Sequence, residues 1–68
     1  MVKTITIEGM SCQHCVKRVE KALNALKGVE AKVSLENKQA IVNIKEDVSN
    51  QLLTNIISEL GYRVISIK

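Results

Sequence analysis

Gly9-Met10-Ser11-Cys12-Gln13-His14-Cys15 is the junction at which a hydrophobic period of two gives way to one near 3.6. Before it, Thr4-Ile5-Thr6-Ile7-Glu8 alternates polar and apolar residues and is β-branched, the pattern of a strand with Ile5 and Ile7 on its buried face. After it, Val16, Val19, Ala22, Leu23 and Leu26 fall on one stripe of a helix read from Cys15 to Leu26, and Lys17, Arg18, Lys21 and Asn24 face away. Gly9 gives the backbone freedom to leave the sheet, Ser11 is placed to cap the helix and Gly28 to stop it. A cap at Ser11 sets Cys12 and Cys15 within the first turn. Met10 is the one large apolar side chain of the loop and is expected to plug the end of a core.

Downstream the same two periods recur. Val29-Glu30-Ala31-Lys32-Val33-Ser34-Leu35 alternates with Val29, Ala31, Val33 and Leu35 inward, and Ala40, Val42 and Ile44 form the facing strand, which leaves Ile41 outward. The polar stretch Glu36-Asn37-Lys38-Gln39 joins them as a hairpin, with Asn37 the residue suited to a left-handed conformation. Ser49 is placed to cap a second helix whose wide apolar face is Leu52, Leu53, Ile56, Ile57 and Leu60; Gly61 ends it, and Arg63-Val64-Ile65-Ser66-Ile67 is a last short strand. The order strand, helix, strand, strand, helix, strand makes two βαβ-like halves without residue repetition. Right-handed crossovers then predict an α+β, ferredoxin-like βαββαβ sandwich: a four-stranded antiparallel sheet with two helices on one face.

Sixty-eight residues make a single domain, 1–68, near the size at which one core is barely sufficient. Pro is absent and Tyr62 is the sole aromatic, so the core must be aliphatic. No apolar run approaches the ~20 residues of a membrane span, and Met1-Val2-Lys3-Thr4 leads into a strand without a secretion-type leader. Membrane insertion is not expected. A cytoplasmic location is, since free thiols stay reduced there. The net charge of +3 favours acidic partner surfaces over basic ones.

Both cysteines and the only histidine lie in the junction. Two residues apart at a helix start, Cys12 and Cys15 can face one small volume. A closed zinc site or an iron–sulfur cluster wants four ligands, more than one Cys pair and a single His supply. Soft thiolates and a coordination number of two point to Cu(I). Two thiolates around a monovalent ion keep a charge of about minus one, which a helix N-terminus stabilises while lowering the thiol pKa values. Such an ion stays open to attack by a third sulfur, a property suited to passing it on.

At Gly9, Met10, Cys12 and Cys15 the sequence resembles the heavy-metal-associated domain family, whose loop reads Gly-Met-x-Cys-x-x-Cys, and within it the bacterial copper chaperones. Ser11, Gln13 and His14 are similar to the loop filling of those carriers, and the likeness extends to Gly28-Val29 and Gly61-Tyr62. The resemblance implies that Cys12 and Cys15 hold the metal, and that Tyr62 stands near the loop, either shielding the thiolates or packing against Met10. It further implies delivery of Cu(I) by thiol exchange to the metal-binding domain of a copper-transporting P-type ATPase. His14, between the cysteines, should point outward as a neighbour that tunes the site. Lys17, Arg18 and Lys21, unfavourable near a helix N-terminus, are the expected docking stripe. A copper-bridged homodimer is expected at high concentration.

Three other functions compete. A dithiol oxidoreductase shares Cys-x-x-Cys, but its fold needs a longer chain and its loop differs, so an enzyme is not expected. Nucleic-acid binding fits the topology and the basic charge, yet the strands carry no aromatic for base stacking. A module for mercury, zinc or cadmium fits the two thiols; the resemblance implies that members preferring divalent ions often add a carboxylate, and Glu8, the nearest, is awkwardly placed at a strand end. An excised ATPase metal-binding domain also fits, although the Met1 start and compact ends favour an independent carrier.

Overall fold

A computed structural model describes residues 1–68. The chain forms β1 (Val2–Glu8), α1 (Gln13–Asn24), β2 (Val29–Ser34), β3 (Gln39–Ile44), α2 (Asn50–Glu59) and β4 (Arg63–Ile67). The sheet order is β2-β3-β1-β4 with every neighbouring pair antiparallel, the ferredoxin-like arrangement expected from the sequence. Alternation puts Ile5 and Ile7 of β1, Val29 and Ala31 of β2, and Ala40, Val42 and Ile44 of β3 on one face. Val16, Val19 and Leu23 of α1 and Leu53 and Ile57 of α2 close over that face in one cluster. All thirteen buried residues are apolar, so no ion pair or polar network lies inside. Burial of this aliphatic surface, at roughly 25 cal/mol per Å², is the main stabilising term. Ile41, 45% exposed, points away from the core as its register requires.

Four local expectations are corrected by the structure. The α1 N-cap is Cys12, not Ser11: its carbonyl accepts the Cys15 N–H at 3.1 Å and the Val16 N–H at 3.3 Å, and its side chain caps nothing. Met10 must reach the core, which delays the helix by a residue. The helix then stops at Asn24, well before Gly28. Asn24 Nδ2 donates to the Glu20 carbonyl at 2.9 Å and to the Ala31 carbonyl at 3.0 Å, and the Ala31 N–H donates to Asn24 Oδ1 at 2.8 Å. In the hairpin the left-handed residue is Lys38 (φ +55), not Asn37, because that conformation lets the Lys38 carbonyl accept the β1 Ile7 N–H at 2.9 Å. Leu52, expected on the apolar face of α2, is 41% exposed; the buried stripe is narrower and centres on Leu53 and Ile57.

The second helix follows its sequence signals closely. Ser49 Oγ accepts the Leu52 N–H at 3.1 Å as N-cap. At the other end the Gly61 N–H donates to Ser58 O at 3.0 Å and the Tyr62 N–H to Ile57 O at 3.3 Å, a Schellman closure that needs Gly61 at φ +94.

Asn24, read from sequence as merely outward, closes the free edge of β2 together with Glu20, whose Oε2 accepts the Val33 N–H at 3.2 Å. Asn24→Ala should therefore lower unfolding stability by about 1–2 kcal/mol in urea titrations. An unchanged midpoint would mean that solvent replaces the amide without penalty.

Candidate metal centre

The loop between β1 and α1 is fixed at one point. Gly9 turns the chain at φ +104, and Met10, 5% exposed, enters the core, while Ser11, Cys12, Gln13 and His14 all lie in solvent. Cys12 stands on extended backbone (φ −156, ψ 169) ahead of the helix; Cys15 lies within the first turn and is half-buried. Their Sγ atoms are 3.4 Å apart, within reach of one shared S–H proton. No third His, Cys, Asp or Glu joins them in a group able to hold a metal ion, so His14 and Glu8 stand outside the pair.

The α2 Schellman turn delivers Tyr62 to this site. Its ring lies against Gly9, where a Cβ would meet Tyr62 Cδ1 at 3.4 Å. The Tyr62 hydroxyl is the largest of the influences that lower the Cys15 thiol to about 6; the Ser11 backbone and the Cys12 thiol add to it. The same interaction raises the Tyr62 hydroxyl, while the charge of Arg18 acts in the opposite direction. No acidic residue occupies the first turn of α1, so the free N–H groups there face the thiols without a competing carboxylate. Ser11 thus contributes its backbone, not the side-chain cap expected of it.

Lys17, Arg18 and Lys21 are all exposed along α1. Arg18 stands near enough to Tyr62 for its charge to act on the hydroxyl, so the basic stripe begins at the thiols themselves. Tyr62 was legible only through the resemblance, since nothing local in its sequence ties it to a loop some fifty residues earlier. The covering of the β2 edge by Glu20 and Asn24 left no sequence signal at all.

Replacing the hydroxyl tests this arrangement. In Tyr62→Phe the pH midpoint of Cys15 alkylation should rise from about 6 toward the ordinary 9.0, with the fold retained. Because the folded-state value lies below the unfolded one, the stability contributed by the Cys15 thiolate is complete above pH 9 and fades as pH falls to about 6. A Cys15→Ser chain should lack that part of the stability profile.

Residues 4–63 match the heavy-metal-associated domain family. The chain is 45% identical over 64 residues to the copper chaperone CopZ of Bacillus subtilis (strain 168), covering 91% of this chain and 93% of that one. It is 41% identical over 64 residues to a copper-exporting P-type ATPase of Staphylococcus saprophyticus, covering 93% of this chain but only 8% of the ATPase. Among solved structures, a CopZ metallochaperone superposes with a TM-score of 0.87 at 39% identity, covering 96% of this chain and all of the other. With its Cys pair at the head of α1 and its βαββαβ sheet, the chain belongs to the heavy-metal-associated domain family.

Proposed function

We propose that this chain is a copper chaperone that carries one Cu(I) between Cys12 and Cys15 and yields it by thiol exchange to the metal-binding domain of a copper-transporting P-type ATPase. The observation that carries this reading is the pair of thiols 3.4 Å apart at an exposed tip with no third ligand beside them. A closed structural site would have one; a transfer site must not. The relatives named for copper support the choice of cargo, and the match of an ATPase segment supports the kind of partner.

The loop geometry suits loading and release. A two-coordinate ion held between the thiols would need more room than the 3.4 Å that separates the sulfurs here, so they would part as it enters. Cys12, ahead of the helix and exposed, is the side able to move; Cys15, held in α1 and bound by Tyr62, is the fixed one. Near neutrality Cys15 is already thiolate and captures the ion first. Release reverses the order: a partner thiolate attacks the two-coordinate copper, Cys12 leaves, and Cys15 follows when the second partner sulfur binds. Since donor and acceptor present similar domains, the exchange is close to balanced, and its direction is set by what consumes the acceptor's metal. A reducing, cytoplasmic compartment suits a carrier that works with two free thiols. At high concentration the exposed sulfurs of two copies can share copper as a bridged dimer.

X-ray absorption on the copper-loaded chain should show sulfur neighbours only, at one Cu(I) per chain, and either Cys12→Ser or Cys15→Ser should weaken binding by orders of magnitude with the apo fold intact. A nitrogen or oxygen first shell would sink the assignment.

Lys17, Arg18 and Lys21 are proposed to meet an acidic face on the acceptor. Exposed pairs of this kind contribute roughly 0.2–1 kcal/mol each and are screened by salt, which speeds encounter without prolonging residence. Transfer should slow as ionic strength rises and slow further in a Lys17→Glu, Lys21→Glu chain that still binds copper. Rates indifferent to both would leave the stripe a solvated helix face.

A further inference from the structure

The turns leading into β3 and β4 stand on either side of the end of β1, from which the cysteine loop starts. The first of them, the β2–β3 hairpin, is tied to that end directly: the Ile7 N–H donates to the Lys38 carbonyl at 2.9 Å, and Gln39 stands opposite Thr6. Inside the hairpin the Lys38 N–H donates to the Leu35 carbonyl and the Asn37 N–H to Ser34 Oγ, both at 3.3 Å. Lys38 therefore sits at the thiol-bearing end of the molecule. Its side chain is exposed, and the two ion pairs of the chain, Lys27 with Glu46 and Lys45 with Glu30, do not include it. Arg63, beyond the other turn, faces Glu8 across the strands, whereas neither Glu8 nor Glu36 lies within ion-pair distance of Lys38. Lys38 is also the only residue other than glycine at positive φ. Glycine or asparagine fills such a position at less steric cost, and Asn37 lies one residue short of it. A lysine standing where the backbone disfavours it points to a use for the ammonium group.

We propose that Lys38 is a second docking contact for the acceptor's metal-binding domain, engaging a carboxylate there from the sheet side of the cysteine loop while Lys17, Arg18 and Lys21 engage it from α1. The inference rests on the carrier reading above and adds a geometric constraint to it. A stripe on one helix lets an acceptor pivot about that helix. Charges on two elements beside the loop fix the rotation and bring the acceptor's thiols over Cys12 and Cys15. The bond from Ile7 holds the backbone of Lys38 in a set place for this task. The contact is exposed, so it acts on encounter and orientation, and salt screens it. The acceptor that fits such a surface carries acidic groups in two patches, not one.

The test loads the full chain with Cu(I), mixes it with the isolated segment of the copper-exporting ATPase that aligns with it, and follows transfer at low and high salt. Lys38→Gln should bind copper as before, slow transfer roughly threefold at low salt and lose the difference at high salt. Lys27→Gln removes the same charge beyond the far end of α1 and should transfer at the parent rate. Lys38→Arg should keep the rate. Lys38→Gly, which suits the left-handed backbone, should be slow although its unfolding midpoint is no lower than the parent's. Transfer by Lys38→Gln at the parent rate, with the Lys17→Glu, Lys21→Glu chain still slowed, would overturn this inference and leave the carrier reading standing. Equal slowing by Lys27→Gln would overturn it as well, since net charge alone would then be at work. No transfer from the parent chain would strike the carrier reading itself, and this inference with it.

Discussion

One buried side chain fixes the working end of this molecule. Between Glu8 and His14 only Met10 leaves solvent, and everything on either side of it is exposed. A loop pinned at one point by a flexible thioether keeps its ends in register with the core and leaves its tip free to adjust. That combination answers a conflict inherent in a small carrier: the thiols must be presented at a reproducible place, yet a site packed into the core could not part its ligands. The aliphatic core, with no polar group inside, carries the stability so that the loop need not.

The two cysteines are made unequal by the elements that hold them. Cys15 belongs to α1 and is braced from α2 by Tyr62; Cys12 is the last residue outside the helix. The brace depends on a backbone event in the other half of the fold, the left-handed turn at Gly61 that closes α2 and sends Tyr62 back over Gly9. Two positive-φ glycines, one in each half, thus meet at one site. Neither half-fold could build it alone.

Elements whose hydrophobic period is sustained were legible in the sequence, as were caps that act through a neighbour in sequence: Ser49 with Leu52, Gly61 with Ser58. What escaped depends on partners far along the chain. Lys38 takes the left-handed position because Ile7 of β1 needs its carbonyl, and α1 stops at Asn24 because that amide turns to Ala31 of β2. Local propensity favoured Asn37 and Gly28, and tertiary hydrogen bonds outweighed it. Cys12 displaced Ser11 at the cap for a related reason, since the path into α1 is set by the burial of Met10. That the two thiols are neighbours was legible, since two residues apart at a helix start brings their sulfurs to 3.4 Å.

Tyr62 is the only aromatic residue of the chain, and it touches the cysteine that anchors the site. The molecule therefore contains a single intrinsic fluorophore, placed where its hydroxyl hydrogen bond changes whenever the thiolate is claimed by another acceptor. Its emission reports on the loop without any label, and no other ring contributes a background. A physical chemist following the protein in a mixture with a tyrosine-free or spectrally distinct partner would be watching the cysteine loop alone.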